Sequence, residues 1–83
     1  MAINGSTLAT LKRGQKGIIR AINAADPQVQ RLMVLGLVEQ TPVQFIRAAI
    51  GGDPLEFRLY GIALSLRREQ ARKFFVSRIA AHD

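Results

Sequence analysis

Few side chains in this chain are able to do acid–base or nucleophilic chemistry, and they are scattered along it. The one histidine, His82, stands beside Asp83 at the end of the sequence. The other acidic residues are Asp26, Glu39, Asp53, Glu56 and Glu69. Nucleophilic catalysis needs a nucleophile, a base and an orienting group, and no such set can be assembled from this spacing. The sequence therefore predicts that the chain is not an enzyme.

Metal and phosphate chemistry are equally sparse. A closed transition-metal site needs three or four ligands, whereas His82 and Asp83 offer two, and there is no cysteine. We therefore expect no required cofactor, and at most weak surface binding of a divalent metal, for instance between chains at His82 and Asp83. Gly51-Gly52-Asp53-Pro54 lacks the Lys-Ser/Thr pair of a phosphate-binding loop and is typical of a turn.

Charge and hydropathy narrow the classes of partner. The 83 residues include twelve Lys and Arg against six Asp and Glu, a net charge of +6, which favours an anionic partner without choosing among them. Only Tyr60, Phe75 and Phe45 are candidates for exposed base stacking, so nucleic acid is the less favoured partner.

The apolar run 32–38 is too short to span a membrane, and Met1-Ala2-Ile3-Asn4 is not a secretory signal. We expect a cytoplasmic protein.

Two alternating runs predict a β-hairpin in the second half of the chain. Their apolar positions are Leu55, Phe57 and Leu59, then Ile62, Leu64 and Leu66. A two-residue turn at Tyr60-Gly61 places both runs on one face, and Gly61 supplies a positive φ that a type I′ turn needs. The predicted pairs are Leu59 with Ile62, Phe57 with Leu64 and Leu55 with Leu66.

A third strand is predicted upstream, joined by a four-residue loop at Gly51-Gly52-Asp53-Pro54. The predicted pairs across this loop are Ile50 with Leu55, Ala48 with Phe57 and Ile46 with Leu59. The apolar residues of all three strands, Ile46 and Ile50 included, are expected to face one core. The same register sets Arg47 opposite Arg58, and like charges destabilise a sheet there. Either the register is shifted or an anionic group lies beside the pair.

One helix and two more strands complete the chain. Asp26-Pro27 is typical of a helix start, and Gly36 of a helix end. The predicted elements are a short capped turn at Ser6 or Thr7, a strand over 17–23, a helix over 27–35, the meander to about Ser65, a helical turn over 67–73 and a strand over 74–79. The stripe Val29, Leu32, Met33 and Leu35 is expected to be buried.

This order predicts a mainly β fold. We expect a small SH3-like five-stranded barrel with one short helix inserted after the first strand and a helical turn before the last strand. The terminal strands would close the barrel by pairing with each other, and an OB-fold is the alternative. A single domain over 1–83 is expected, with an ordered core of about 7–79.

Three segments together resemble the FeoA family of ferrous-iron-transport accessory proteins. These segments are Leu32-Met33-Val34-Leu35-Gly36-Leu37, Val43 to Leu55 and Leu64 to Ala71. The order and spacing of the segments carry the resemblance, which extends over about 8–76. The chain departs from the family pattern at Glu39-Gln40, at Arg13, and at Ile50 and Gly51.

The resemblance implies a regulatory module of the bacterial cytoplasm, at the inner face of the membrane. Its partner would be the cytoplasmic GTP-binding region of the membrane ferrous iron transporter, whose transport it would modulate. The expected partner-binding residues are Arg31, Leu37 and Val38 near the helix end, with Arg67 and Arg68. The alternative is a small basic barrel that binds nucleic acid or another anion, including a transcription-related role. The sequence leaves the oligomeric state open, a homo-oligomer included.

Overall fold

The computed structural model describes residues 6–79, and these form five strands and two short helices. The strands are β1 (Lys16–Ile22), β2 (Pro42–Ala48), β3 (Leu55–Leu59), β4 (Ile62–Leu66) and β5 (Phe74–Arg78). The helices are α1 (Pro27–Val34) and α2 (Arg68–Ala71), and a 3₁₀ turn precedes β1 at Leu8–Thr10. The predicted mainly β, SH3-like architecture is confirmed, element by element and in the predicted order.

One antiparallel sheet with the strand order β4-β3-β2-β1-β5 carries the fold. The first and last strands pair, as predicted, with Gly17 opposite Arg78 and Ile22 opposite Phe74. The sheet curls around a single core that includes Ile19, Phe57 and Phe74. The 3₁₀ turn and α2 pack together at one end of this core.

Helix α1 begins and ends as its sequence predicts. The Asp26 carboxylate accepts a hydrogen bond from the Gln28 N–H at 2.8 Å, with Pro27 in the first helical position. At the other end, the Gly36 N–H donates to the Met33 carbonyl and the Leu37 N–H to the Leu32 carbonyl, which is a Schellman motif. Gly36 has φ +121°, so the chain reverses there and buries Leu37.

The β3–β4 hairpin has the predicted register. Leu59 lies opposite Ile62, Phe57 opposite Leu64 and Leu55 opposite Leu66. Tyr60 and Gly61 have φ of +51° and +83°, as a type I′ turn requires. Tyr60 is not a glycine, but it adopts a left-handed conformation here because the twist of a type I′ turn matches that of the two strands it joins.

The predicted register between β2 and β3 is wrong. Ala48 lies opposite Leu55, Arg47 opposite Glu56 and Phe45 opposite Phe57, with a bulge at Ile46. The last paired residues are Ala48 and Leu55, so the loop is longer than predicted, and within it the Ala49 N–H donates to the Pro54 carbonyl. Arg47 therefore does not lie opposite Arg58, and the predicted repulsion between these two charges is absent. Instead, Arg47 Nη1 forms an ion pair with Glu56 Oε1 at 2.6 Å.

The bulge also changes which residues reach the core. An extra residue in one strand reverses the alternation of side chains, so Phe45 is buried and Ile46 is only half-buried. The Phe45 side chain is buried and its ring lies 5.4 Å from that of Phe57, so Phe45 is no longer a candidate for exposed stacking. Ile50 and Ile62, both expected in the core, are 101% and 68% exposed.

Candidate partner-binding surface

The structure divides the predicted partner-binding residues between two ends of the barrel. Arg31 and Val38 lie at the end of the barrel where α1 finishes, and both are exposed. Leu37 is fully buried in the core, because the Schellman motif turns it inward. The expectation that Leu37 contacts a partner is therefore wrong.

Arg67 and Arg68 lie at the opposite end of the β3–β4 hairpin. They follow Leu66, and β4 separates that residue from Ile62 by about 14 Å. The Arg68 guanidinium donates two hydrogen bonds to the Gly52 carbonyl, at 2.9 and 3.3 Å, and so holds the β2–β3 loop. These two arginines do not form one surface with the end of α1, and Arg68 has a structural role.

Apart from Ile62, which begins β4, four exposed apolar side chains lie at the end of α1 and at the β3–β4 turn. They are Val34, Leu35, Val38 and Tyr60, with exposed fractions of 86%, 59%, 41% and 73%. We call this group the barrel-end patch. Arg31 belongs to its border, because it lies one helical turn before Val34 and Leu35 on the same face. An apolar surface with a cationic border is typical of a protein interaction site.

The two halves of the barrel-end patch are held together by packing at Gly36. A β-carbon on Gly36 would lie 3.2 Å from Leu59 Cδ2, so the backbone at the helix end lies directly against the last residue of β3. Tyr60 follows Leu59 in the chain. The Thr41 hydroxyl donates to the Gly36 carbonyl at 3.4 Å and so helps to fix the loop that contains Val38.

This packing predicts the effect of Gly36→Ala. Alanine at φ +121° costs about 1–2 kcal/mol of stability, and its methyl group would also displace Leu59. Gly14→Ala is the matched control, because Gly14 has φ +83° and nothing within 4 Å of an added β-carbon. Chemical denaturation should show the larger loss for Gly36→Ala. Equal losses would show that the contact with Leu59 contributes nothing.

A basic pocket opens beside Tyr60 on the outer face of the sheet. Its volume is about 320 Å³, and Lys16 and Arg58 line it on either side of Gln44. Within residues 6–79 the one ion pair is that of Arg47 with Glu56, so neither Lys16 nor Arg58 has a carboxylate partner there. Two unpaired cations in one concavity favour the binding of a carboxylate or another anionic group.

The described part of the chain contains no cluster of side chains that could hold a metal ion. Residues 6–79 contain no group of three or more histidine, cysteine, aspartate or glutamate side chains able to hold an ion. His82 and Asp83, the candidate metal ligands, lie outside the described residues, and metal binding there stays a prediction. Among the described residues no helix is long and apolar enough to cross a membrane.

Sequence reasoning missed the pocket residues Lys16 and Arg58, and it also missed Val34 and Leu35, since Leu35 was assigned to the buried stripe. The sequence does contain a signal that some of these apolar residues are exposed. Leu32, Met33, Val34 and Leu35 are four consecutive apolar residues, and four residues cover a complete helical turn. They cannot all face one core. Leu32 is buried and Met33 partly buried, so Val34 and Leu35 face solvent.

Comparison with known proteins finds one matching family model. The family model described as "FeoA domain" matches residues 6–78. No curated protein shows a significant sequence match.

Solved structures give the same result. The solution structure of the FeoA protein from Chlorobium tepidum is 32% identical, with a TM-score of 0.82 over 93% of this chain and 73% of that one. A FeoA-like protein from Clostridium acetobutylicum is 28% identical, with a TM-score of 0.84 over 95% and 92%.

A third structure, zinc-complexed FeoA from Stenotrophomonas maltophilia, is 24% identical, with a TM-score of 0.74 over 86% of this chain and 88% of that one. That protein is described as a prokaryotic SH3 domain protein and a candidate activating factor for ferrous iron transport. At this identity the match supports the fold alone.

Proposed function

The chain belongs to the FeoA family, and from that premise we propose that it is an accessory protein of bacterial ferrous iron uptake. It binds the cytoplasmic GTP-binding region of the membrane ferrous iron transporter and thereby modulates transport. It acts at the inner face of the membrane, as a binding module and not as an enzyme. The single observation that best supports a binding role is the barrel-end patch, whose Val34 and Leu35 are 86% and 59% exposed.

The surface favours a partner with an apolar projection and acidic groups around it. Leu35 and Val34 provide the apolar centre, which would lose water on binding and contribute most of the affinity. Arg31 at one border and the pocket cations Lys16 and Arg58 at the other would meet carboxylates. Tyr60 belongs both to the patch and to the pocket and connects them.

A pull-down from native bacterial membranes tests this proposal. The chain is immobilised as bait, and a Leu35→Asn bait serves as the matched control. We expect the ferrous iron transporter to be recovered by the wild-type bait and to be depleted with the variant. Equal recovery by both baits, or no recovery by either, contradicts the proposal. Tight, strongly salt-dependent binding to oligonucleotides would instead support the anion-binding alternative.

Charge reversal in the pocket should affect the rate of association. Lys16→Glu is expected to slow association with the transporter region by up to about tenfold and to reduce its dependence on salt. Arg67→Glu is the control, because it makes the same change of charge at the other end of the hairpin. Stopped-flow measurements over a salt series should separate the two variants. A larger effect of Arg67→Glu would move the interface to that end.

A further inference from the structure

Strand β4 is an open edge of the sheet, and nothing among the described residues covers it. In the strand order β4-β3-β2-β1-β5 it is hydrogen-bonded as a strand to β3 alone. The other edge is protected, because the Val76 N–H donates to the Ser6 carbonyl and Thr7 bridges to Phe75. Natural proteins usually block an exposed edge with charges, proline or a bulge. The sequence of β4, Ile-Ala-Leu-Ser-Leu, contains none of these.

The hairpin register shows which backbone groups are free on this edge. A two-residue turn makes Leu59 and Ile62 a hydrogen-bonded pair, and the ladder then alternates. Ile62, Leu64 and Leu66 therefore bond to β3. Ala63 and Ser65 direct their N–H and C=O groups outward, where residues 6–79 supply no hydrogen-bond partner. Both side chains are small, so another strand could approach closely.

We propose that β4 pairs with β4 of a second copy of this chain, antiparallel and centred on Leu64, to form one continuous ten-stranded sheet. This proposal does not depend on the proposed role in iron uptake. Ala63 of each copy lies opposite Ser65 of the other, and four backbone hydrogen bonds form. Ile62, which is 68% exposed in the single chain, lies opposite Leu66 of the second copy and is covered.

The arrangement of charges favours this register over the two other symmetric ones. On the outer face Arg58 lies beside Ala63, and Glu56 lies beside Ser65. A sheet centred on Leu64 puts Arg58 of one copy in the same row as Glu56 of the other, with only small side chains between them. Centring on Ala63 would align Arg58 with Arg58, and centring on Ser65 would align Glu56 with Glu56. Only the Leu64 register puts opposite charges in one row, where Glu56, already paired with Arg47 of its own chain at 2.6 Å, would face a second arginine.

The absence of cysteine from the sequence allows a register-specific test by disulfide trapping. In the proposed pair, position 64 lies opposite itself at a Cα separation of about 4.5 Å, which a disulfide can bridge. Leu64→Cys should therefore form a covalent dimer under mild oxidation. Ile62→Cys is the matched control, because its two copies would be about 14 Å apart along the strands. Equal yields from the two variants, or no dimer from Leu64→Cys, would overturn the proposal.

A second test removes the edge hydrogen bond without touching the hairpin. The Ser65 N–H points away from β3, so Ser65→Pro should fold but lose pairing, whereas Ser65→Thr keeps the N–H group. One small strand interface is weak, so sedimentation velocity should be run over a wide concentration range. We expect wild type and Ser65→Thr to approach twice the mass of one chain, and Ser65→Pro to stay monomeric. A monomeric wild type, or a dimeric Ser65→Pro, would overturn the proposal.

Discussion

Replacing Phe57 by alanine is expected to destabilise the fold by about 3–5 kcal/mol. Phe57 is fully buried, its ring packs 5.4 Å from that of Phe45, and it lies on β3 between Phe45 of β2 and Leu64 of β4. Alanine leaves a cavity that a small domain cannot fill by rearrangement. The midpoint of thermal unfolding should fall by more than about 12 °C. The measurement is a circular dichroism melt supported by urea denaturation.

Ile50→Ala is the control for this prediction. Ile50 is fully exposed at the β2–β3 loop, so its truncation should change stability by less than about 0.5 kcal/mol. The control also tests the corrected register, because the sequence pattern alone placed Ile50 and Phe57 in the same core. A Phe57→Ala midpoint within a degree or two of wild type would show that this core is assigned incorrectly.

Replacing Leu35 by asparagine is expected to weaken binding to the transporter region by at least about 30-fold, which corresponds to about 2 kcal/mol. The substitution removes apolar area from the centre of the barrel-end patch and adds no charge. Leu35 is 59% exposed, so the stability of the fold should hardly change. Val38→Asp should act in the same direction. Isothermal titration calorimetry measures both affinities.

Ile50→Asn provides the matched control for binding. It converts an even more exposed aliphatic side chain to the same polar one, at the end of the barrel away from α1. Its affinity should equal that of the wild type. If Ile50→Asn weakened binding and Leu35→Asn did not, the interface would lie at the β2–β3 loop, near Arg67 and Arg68.

The parts of the fold that sequence could predict are those set by local chemistry. Asp26-Pro27 and Gly36 bound α1, and Tyr60-Gly61 sets the register of β3 and β4, because turn type and strand phase are linked there. The β2–β3 register could not be predicted in this way. A bulge at Ile46 and a longer loop each shift the pairing, and neither has a sequence signal as strong as a two-residue turn.

The candidate site was predicted only in part. The end of α1 was recognised from Arg31 and Val38, both of which are exposed there. Leu37 was misplaced because apolar residues after a helix serve equally as core or as surface, and the direction depends on the turn at Gly36. Arg67 and Arg68 were misplaced because their distance from α1 is a property of tertiary structure. Sequence periodicity reports on single elements and not on how they are arranged.

Nuclear magnetic resonance can show whether the barrel-end patch is the surface that binds the transporter. The isotope-labelled chain is titrated with the unlabelled cytoplasmic region of the ferrous iron transporter, and amide shifts are followed residue by residue. We expect the largest changes at Arg31, Leu35, Val38 and Tyr60, with smaller ones at Lys16. An absence of shift changes at saturating concentrations, or changes confined to the β2–β3 loop and α2, would contradict this expectation.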